Sequence, residues 1–314
     1  MERILNNGRL PPALMKQLAA AYDLHDLMAE NDPGAYLAEH GHKFTGIVTN
    51  AARGAGAAMI EAMPNLKVIS SFGVGLDKID LAAAASRGVA VGYTPDVLND
   101  CVADTAFGLV IDVMRGFSAA DRYVRRGEWA AARPLPLGRK VSGTRLGIVG
   151  FGRIGQTIAK RATGFDMEVR YHTRRPVGNV AWAHEPSLLE LARWCDCLVV
   201  IVAGGAGTLH LIDANVLEAL GKEGFLVNVA RGTVIDEKAL VKALSAGTIA
   251  GAGLDVFQDE PHVPRELFEL DNVVLLPHVA SATRETRQAM ADLTAENLAC
   301  FFATGQLKAA APLP

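Results

Sequence analysis

The chain has 314 residues, of which half are hydrophobic and 21% are charged, and its formal net charge is −3 at pH 7. This length predicts two domains, and the composition is typical of a globular protein. The lack of a strongly basic block argues against nucleic acid as a partner. The first residues lack the long apolar core of a signal peptide, and the apolar stretch 198–209 is too short to span a bilayer, so we expect a cytoplasmic protein without a membrane partner.

The first part of the chain alternates strand and helix patterns, which predicts an α/β domain with a mostly parallel sheet. The predicted strands cover residues 46–49, 67–69 and 89–91, and the predicted helices cover residues 55–63 and 79–87. Residues 102–126 then form one long helical pattern that is apolar around most of its circumference. Such a helix is usually buried, here between domains or subunits.

The stretch RLGIVGFGRIG, residues 145–155, reads as an apolar strand that runs into a glycine-rich turn and a helix over residues 153–164. The turn spells G-x-G-x-x-G with Gly150, Phe151, Gly152, Arg153, Ile154 and Gly155. The first glycine permits a tight turn, the second lets the backbone approach a pyrophosphate, and the third lets the helix pack closely on the strand. The helix start would face the phosphates. We therefore predict a dinucleotide site.

A second α/β series follows the glycine-rich turn. Its predicted strands cover residues 169–172, 197–202, 226–229, 250–254 and 273–276, and its predicted helices cover residues 213–220, 236–245 and 282–303. Because the dinucleotide turn lies in mid-chain, we predict that a Rossmann domain of residues 99–283 is inserted into a substrate domain of residues 1–98 and 284–314. The two crossings, near residues 99–100 and 282–283, would form a double hinge.

The residues that follow the predicted strand 169–172 indicate which cofactor binds. An NAD-binding unit usually carries Asp or Glu there to hold the ribose hydroxyls, whereas this chain continues with Thr173, Arg174 and Arg175. Guanidinium groups suit a phosphate, and the threonine hydroxyl can add a hydrogen bond. We predict NADP as cofactor, with NADPH preferred over NADH and NAD still possible. The alternative is that both arginines merely solvate a turn before Pro176.

Several blocks resemble the D-isomer-specific 2-hydroxyacid dehydrogenases, above all the glyoxylate/hydroxypyruvate and hydroxyphenylpyruvate reductases. They include SFGVGLDKID (71–80), VGFGRIG (149–155), NVARGTVIDEKALVKAL (228–244), GAGLDVFQDEP (251–261) and NVVLLPHVASAT (272–283). The resemblance implies the same split fold of two Rossmann-like or flavodoxin-like domains. It also implies a homodimer that reduces small 2-keto acids (glyoxylate, hydroxypyruvate and by extension aryl pyruvates) to D-2-hydroxy acids.

The resemblance further implies three catalytic residues, Arg231, Glu260 and His278. A histidine can supply a proton near neutral pH, a carboxylate bonded to it would favour the imidazolium, and a guanidinium can polarise the keto oxygen and pair with the carboxylate. By pattern alone, an arginine, a glutamate and a histidine at such positions are more often a surface charge, a loop carboxylate and a structural strand-end histidine. Only the resemblance prefers Glu260 to its neighbour Asp259.

Other site residues are implied in the same way. The backbone at Val74 and Gly75 resembles the family's cradle for the substrate carboxylate, where Arg231 and His278 also bind. Further cofactor contacts are expected at Val202, Thr208, Val229, Asp255 and Ser281. Residues 202–208 read VAGGAGT where the family has CPLTPET, which predicts a looser loop. Trp129 matches a position near the substrate or partner subunit, or is a packed aromatic.

Neither a metal site nor a disulfide framework is predicted. The four cysteines lack ligand spacing, and Cys195 and Cys197 are expected to be buried thiols. Two other functions remain open at this point. One is a dinucleotide-sensing protein of the corepressor type, which shares this fold and the catalytic trio. The other is a different dehydrogenase on the same scaffold, such as phosphoglycerate dehydrogenase.

Overall fold

A computed structural model describes residues 1–314 as two compact α/β units. The first consists of Met1–Leu98 and Thr283–Pro314, and the second of Asn99–Ala282. This arrangement confirms the predicted fold class, in which one domain is inserted into another. No helix combines the length and the apolar character needed to cross a membrane.

The strands are β1 (Arg3–Asn7), β2 (Asp23–Asp26), β3 (Gly46–Asn50), β4 (Val68–Phe72), β5 (Ala90–Gly92), β6 (Arg145–Val149), β7 (Glu168–His172), β8 (Ala183–His184), β9 (Cys197–Val200), β10 (Phe225–Asn228), β11 (Gly251–Leu254) and β12 (Val273–Leu275). The helices are α1 (Pro12–Ala21), α2 (Pro33–His40), α3 (Ala57–Glu61), α4 (Leu81–Ser86), α5 (Asn99–Arg115), α6 (Phe117–Arg125), α7 (Arg153–Thr163), α8 (Leu188–Trp194), α9 (Ala214–Leu220), α10 (Glu237–Ser245) and α11 (Arg284–Thr304).

The first unit is built on a five-stranded parallel sheet in the order β2-β1-β3-β4-β5, the flavodoxin-like order. One face packs on a core that contains Leu5, Ile47 and Ile69. The other face is covered by α1 and α11. There the hydroxyl of Ser70 in β4 donates a buried hydrogen bond of 2.9 Å to the carbonyl of Thr294 in α11. The last helix of the chain therefore covers a sheet whose strands all lie before residue 93 in the sequence.

The second unit is built on a seven-stranded parallel sheet in the order β12-β11-β10-β9-β6-β7-β8. The first strand of this unit, β6, lies in the middle of the sheet. The chain continues outward through β7 and β8, and then returns to form β9 on the other side of β6. In open parallel sheets a ligand binds outside the carboxyl ends of the strands, where this reversal of order leaves a crevice. The glycine-rich turn directly follows β6 and thus lies at that position.

The prediction of one long helix over residues 102–126 is wrong. Gly116 adopts φ 66°, a left-handed conformation that ends α5 and precedes α6. Asp112 stabilises the break, because its two carboxylate oxygens accept hydrogen bonds from the backbone N–H and the hydroxyl of Ser118, at 2.8 and 2.6 Å. The apolar surface of α5 packs on β10, β11, β12 and α7. The apolar surface of α5 is therefore buried against the sheet of its own unit.

Other boundaries differ by a few residues. Asp213, Asp236 and Thr283 lie just outside α9, α10 and α11, because each side chain accepts a hydrogen bond from a first-turn N–H as an N-cap. The strand predicted to reach residue 202 ends at Val200. No element is predicted before residue 46, where the structure has β1, α1, β2 and α2.

Candidate active site

The three predicted catalytic residues follow three neighbouring strands of the seven-stranded sheet. Arg231 comes after β10, Glu260 after β11 and His278 after β12, and these strands pair in parallel. Since parallel strands end at the same edge of a sheet, residues 47 positions apart in the sequence are brought to one side of the second unit.

His278 and Glu260 form a direct pair, with 2.7 Å between Nδ1 of the histidine and Oε2 of the glutamate. A carboxylate only accepts hydrogen bonds, so Nδ1 carries the proton of this bond. The second carboxylate oxygen, Oε1, accepts the backbone N–H of Phe257 at 3.1 Å. The histidine side chain is 45% exposed. Its Nε2 is the nitrogen that can face a substrate.

Glu260 is held as a carboxylate by its surroundings. Burial acts to raise its pKa, but the hydrogen bond from His278, the charge of that histidine, the Phe257 N–H and the positive charge of Arg231 act in the opposite direction, and the net pKa lies below the ordinary value. This pattern is typical of a carboxylate that orients a neighbouring imidazole.

Asp255, predicted as a cofactor contact, has internal hydrogen bonds in the structure. It is fully buried, and its two carboxylate oxygens accept the N–H groups of Val279 and Ala280 at 2.7 and 2.9 Å. Its backbone carbonyl accepts the N–H of His278 at 2.8 Å. Burial raises the pKa of the Asp255 carboxyl, although the hydrogen bonds from the Val279 and Ala280 N–H groups act against this rise. Both carboxylate oxygens are used inside the protein, and Asp255 fixes His278 in its left-handed conformation, φ 55°.

Arg231 is half-buried, and the loop that carries it is shaped by a residue the sequence does not single out. Asn228, at the end of β10, donates through Nδ2 to the carbonyl of Arg231 at 3.0 Å and accepts the N–H of Ala230 through Oδ1 at 3.0 Å. The next residue, Gly232, packs so closely that a Cβ there would lie 1.8 Å from the backbone carbon of Phe257. This contact holds the Arg231 loop against the loop of Glu260.

The glycine-rich turn fits a dinucleotide pyrophosphate. Gly150 has φ 95°, and a Cβ there would lie 2.5 Å from the carbonyl oxygen of Ile201, while a Cβ on Gly155 would lie 2.3 Å from the carbonyl oxygen of Gly150. A Cβ on Gly152, in contrast, would contact nothing within 4 Å. Two glycines are therefore required by internal packing, and the third leaves open space at the first turn of α7, where the N–H groups have no intrahelical acceptor.

The other residues of the turn differ in exposure. Phe151 is buried, so it can reach a cofactor only through its backbone. Ile154 is half-buried and Arg153 is exposed, both in the first turn of α7. This arrangement presents backbone and one arginine to the open side of the turn.

Arg174 and Arg175, after β7, are exposed and form no ion pair in the structure. The hydroxyl of Thr173 donates to the carbonyl of Arg175 at 2.7 Å. The predicted donor to a phosphate is thus engaged within the turn, and only its lone pairs remain free.

The loop of residues 202–208, after β9, contains a short regular segment. Residues Ala206–Thr208 form a short 3-10 helix, and the Thr208 hydroxyl donates to the carbonyl of Ala203 at 2.7 Å. Val202 is half-buried, and its Cγ1 would lie 2.9 Å from a Cβ on Gly150. Thr208 therefore closes the loop in place of the proline that the family pattern would supply.

The remaining predicted site residues are distributed over both units. Val229 is buried and donates its N–H to Val200 at 3.2 Å, and Ser281 is half-buried near the end of the second unit. Val74 and Gly75 belong to the first unit, in the loop after β4. Gly73, just before them, has φ 148° and accepts the N–H of Thr94 at 3.0 Å.

Among the residues outside the trio, Cys195 and Cys197 are buried free thiols, as predicted. Burial raises the pKa of Cys195 to about 12 and that of Cys197 well above its ordinary value, so neither is a reactive thiolate. Trp129 is 72% exposed and is not packed within its own chain. His172 and His184 bond to backbone carbonyls beside the turn after β7, whereas His210 is exposed.

Comparison with known proteins shows the family to which the chain belongs. A family model described as "D-isomer specific 2-hydroxyacid dehydrogenase, NAD binding domain" matches residues 107–280. The chain is 45% identical to glyoxylate/hydroxypyruvate reductase A of Arabidopsis thaliana over 92% of both chains. It is 47% identical to hydroxyphenylpyruvate reductase of Plectranthus scutellarioides over 85% of both, and 44% identical to 2-ketogluconate reductase of Gluconobacter oxydans over 95% of both.

The structural comparison agrees. The crystal structure of an NADPH-dependent glyoxylate/hydroxypyruvate reductase from Sinorhizobium meliloti, in complex with NADP and malonate, superposes with a TM-score of 0.92 at 41% identity, over 99% of this chain and 96% of that one. The fold and the site therefore define a dehydrogenase, an oxidoreductase with a nicotinamide-dinucleotide domain. The chain belongs to the D-isomer-specific 2-hydroxyacid dehydrogenase family.

Proposed function

We propose that the protein reduces small 2-keto acids, with glyoxylate and hydroxypyruvate as the first candidates and aryl pyruvates as further ones, to D-2-hydroxy acids with NADPH. The observation that carries this proposal is the 2.7 Å pair of His278 and Glu260 on the same unit as the glycine-rich turn. Relatives at 44–47% identity are reductases of such acids, which supports the substrate class.

His278 would deliver the proton of the reaction. Because its Nδ1 is bonded to Glu260, its Nε2 is left to face the keto oxygen and to donate the proton as that oxygen gains charge. The negative charge of Glu260 stabilises the imidazolium from which the proton leaves. When bound, the reduced nicotinamide supplies the hydride to the carbonyl carbon.

Arg231 would bind and polarise the substrate. A guanidinium can hold a carboxylate or a keto oxygen in a planar, bidentate geometry, and the half-buried position of Arg231 strengthens such a bond relative to water. The backbone N–H groups near Val74 and Gly75, in the first unit, would receive the substrate carboxylate, since a glycine-containing loop can direct several N–H groups to one anion.

The cofactor would bind along the glycine-rich turn, with its pyrophosphate in the open space at Gly152 and its 2′-phosphate at Arg174 and Arg175. The absence of a carboxylate after β7 and the two unpaired guanidinium groups both favour NADPH over NADH. The relative from Sinorhizobium meliloti is an NADPH-dependent reductase, which supports the same choice here.

The assembly would be a homodimer. Phe117 and Val124 on α6, and Trp129 and Leu137 in the segment after it, expose large apolar side chains, and Leu137 is fully exposed. Large apolar side chains that are exposed on one segment of the chain are candidates for an interface. A second copy of the chain would cover them. We place the enzyme in the cytoplasm, where its four free cysteines would stay reduced.

The test is a turnover assay with glyoxylate, hydroxypyruvate, an aryl pyruvate and 2-ketogluconate, each with NADPH and NADH. We expect kcat/KM to be highest for the two small acids with NADPH. Turnover of none of these acids, together with tight NADPH binding, would contradict the proposal and support a dinucleotide-sensing protein. A dehydrogenase for phosphoglycerate would show itself by oxidising that substrate instead. The named relatives favour neither alternative.

A further inference from the structure

Tyr171, at the end of β7, connects the glycine-rich turn to the segment that follows β7. It is only 1% exposed. Its ring stacks on that of Phe151, with 4.0 Å between centroids and 15° between planes. Phe151 is the second residue of the glycine-rich turn, so the tyrosine ring packs on a side chain of the turn whose backbone is proposed to bind the pyrophosphate.

The hydroxyl of Tyr171 reaches in the other direction. It accepts the backbone N–H of Val177 at 2.9 Å and lies 3.4 Å from the carbonyl oxygen of the same residue, to which it donates. We call residues 173–177 the phosphate turn. A phenylalanine would fill the same buried space, so the hydroxyl serves the far end of the phosphate turn and not the packing of the core.

The near end of the phosphate turn is held by His184 on the neighbouring strand. Its Nε2 lies 2.9 Å from the carbonyl oxygen of Thr173, and since a carbonyl only accepts, this nitrogen carries a proton. The Thr173 hydroxyl donates across the turn to Arg175 at 2.7 Å. The backbone is therefore fixed at both ends, while the guanidinium groups of Arg174 and Arg175 stay exposed.

We propose that Tyr171 is a positioning residue for NADPH selection, which holds the phosphate turn in the conformation that presents Arg174 and Arg175 to the 2′-phosphate. The inference rests on the proposed NADPH preference. Two long arginine side chains lose conformational entropy when they bind a phosphate, and a backbone already ordered by Tyr171 and His184 lowers the total cost. NADH has no 2′-phosphate and gains nothing from this order.

The experiment is Tyr171→Phe, which removes one oxygen atom and keeps the stacked ring. We expect the KM for NADPH to rise about fivefold, the scale of one lost hydrogen bond, while kcat and the KM for NADH stay unchanged. His184→Gln provides a second variant at the other end of the turn, should Tyr171→Phe fold poorly, with the same NADPH-specific rise expected.

Two controls separate positioning from a general loss of stability. Tyr123→Phe removes another buried hydroxyl that donates to a backbone carbonyl, that of Arg133 at 2.5 Å, and should leave the ratio of the two KM values unchanged. In an Arg174→Ala/Arg175→Ala background, Tyr171→Phe should have no further effect on NADPH, because the groups it positions are gone.

Equal effects on both cofactors, or none, would overturn the positioning role. A persistent fivefold effect in the double-alanine background would also overturn it. Wild-type use of NADH as good as that of NADPH would instead overturn the proposed cofactor preference, and the inference with it. That result is read from the wild type alone, so the two failures are distinguishable.

Discussion

His278 presents two different nitrogens, one to Glu260 and one to the open side of the site. This asymmetry predicts that His278→Gln lowers kcat roughly a hundredfold or more, the usual effect of a lost general acid, while the Kd for NADPH changes little. The measurement is kcat with glyoxylate beside a fluorescence titration of the cofactor. His262→Gln is a matched control, since His262 is 78% exposed and pairs only with Asp259. Near-normal turnover in His278→Gln would refute the assignment.

The lowered pKa of Glu260 predicts a specific dependence of stability on pH. A carboxylate whose folded pKa is lowered stabilises the native state at pH values above its ordinary pKa, 4.5, and that contribution is lost as the pH falls through the lowered, folded value. We expect Glu260→Gln to lower the free energy of unfolding at pH 7 and to approach the wild type in acid.

The measurement is urea unfolding of both proteins from pH 3 to 7. Asp259→Asn removes a neighbouring carboxylate that is 85% exposed, and so controls for the loss of one negative charge from the loop. The control also separates the two acids that the sequence pattern leaves equal, because only Glu260→Gln should slow turnover. A stability difference that does not vary with pH would contradict the coupling of Glu260 to its surroundings.

The break between α5 and α6 shows how one residue determines where a helix ends. Gly116 has φ 66°, and a Cβ there would meet nothing within 4 Å, so Gly116→Ala introduces backbone strain alone and should cost about 1 kcal/mol of unfolding free energy. Gly108, in mid-helix of α5, also has open space around a Cβ. We expect Gly108→Ala to stabilise by roughly 0.5–1 kcal/mol. Urea unfolding of both variants measures whether each substitution lowers or raises the free energy of unfolding. A Gly116→Ala variant that is more stable than the wild type would contradict the left-handed break.

The same break shows where sequence patterns succeed and fail. The fully buried strands β9 and β10 are short runs of mostly apolar residues, and the sequence predicts them to within two residues at either end. Apolar periodicity continues through Gly116, so the pattern cannot reveal the left-handed residue. β2 is a short edge strand of half-buried and exposed residues, without the apolar run that identifies the others.

The site shows the same limit at the level of side chains. The glycine-rich turn and the missing carboxylate after β7 are local features, so the sequence indicates them directly. Arg231, Glu260 and His278 are brought together by three strand ends, and only the family resemblance identifies them. Asn228 and Tyr171 have no sequence signal beyond a polar group at the end of an apolar strand, because their importance lies in the backbone groups they bind.

At the scale of the whole molecule, the proposed dimer makes a direct prediction. In a twofold dimer each side chain occurs twice in the interface. Burial of one leucine contributes roughly 2 kcal/mol, so Leu137→Asp should weaken the dimer by a hundredfold or more. Sedimentation of dilute protein measures the change, and Leu313→Asp, at the exposed C-terminus, is the control. A wild type that sediments as a monomer would refute the dimer.

The bond between Ser70 and Thr294 also has a consequence for synthesis on the ribosome. The strands of the first sheet emerge early, but the helix that covers one of its faces emerges about 200 residues later. At roughly 5–20 residues per second, the part of the face that packs on α11 stays uncovered for about 10–40 s. The inserted unit, which is complete in itself, can fold during that interval. Chains truncated after residue 283 and released should therefore contain a folded second unit beside an unfinished first one, and that exposed sheet is where a chaperone would bind.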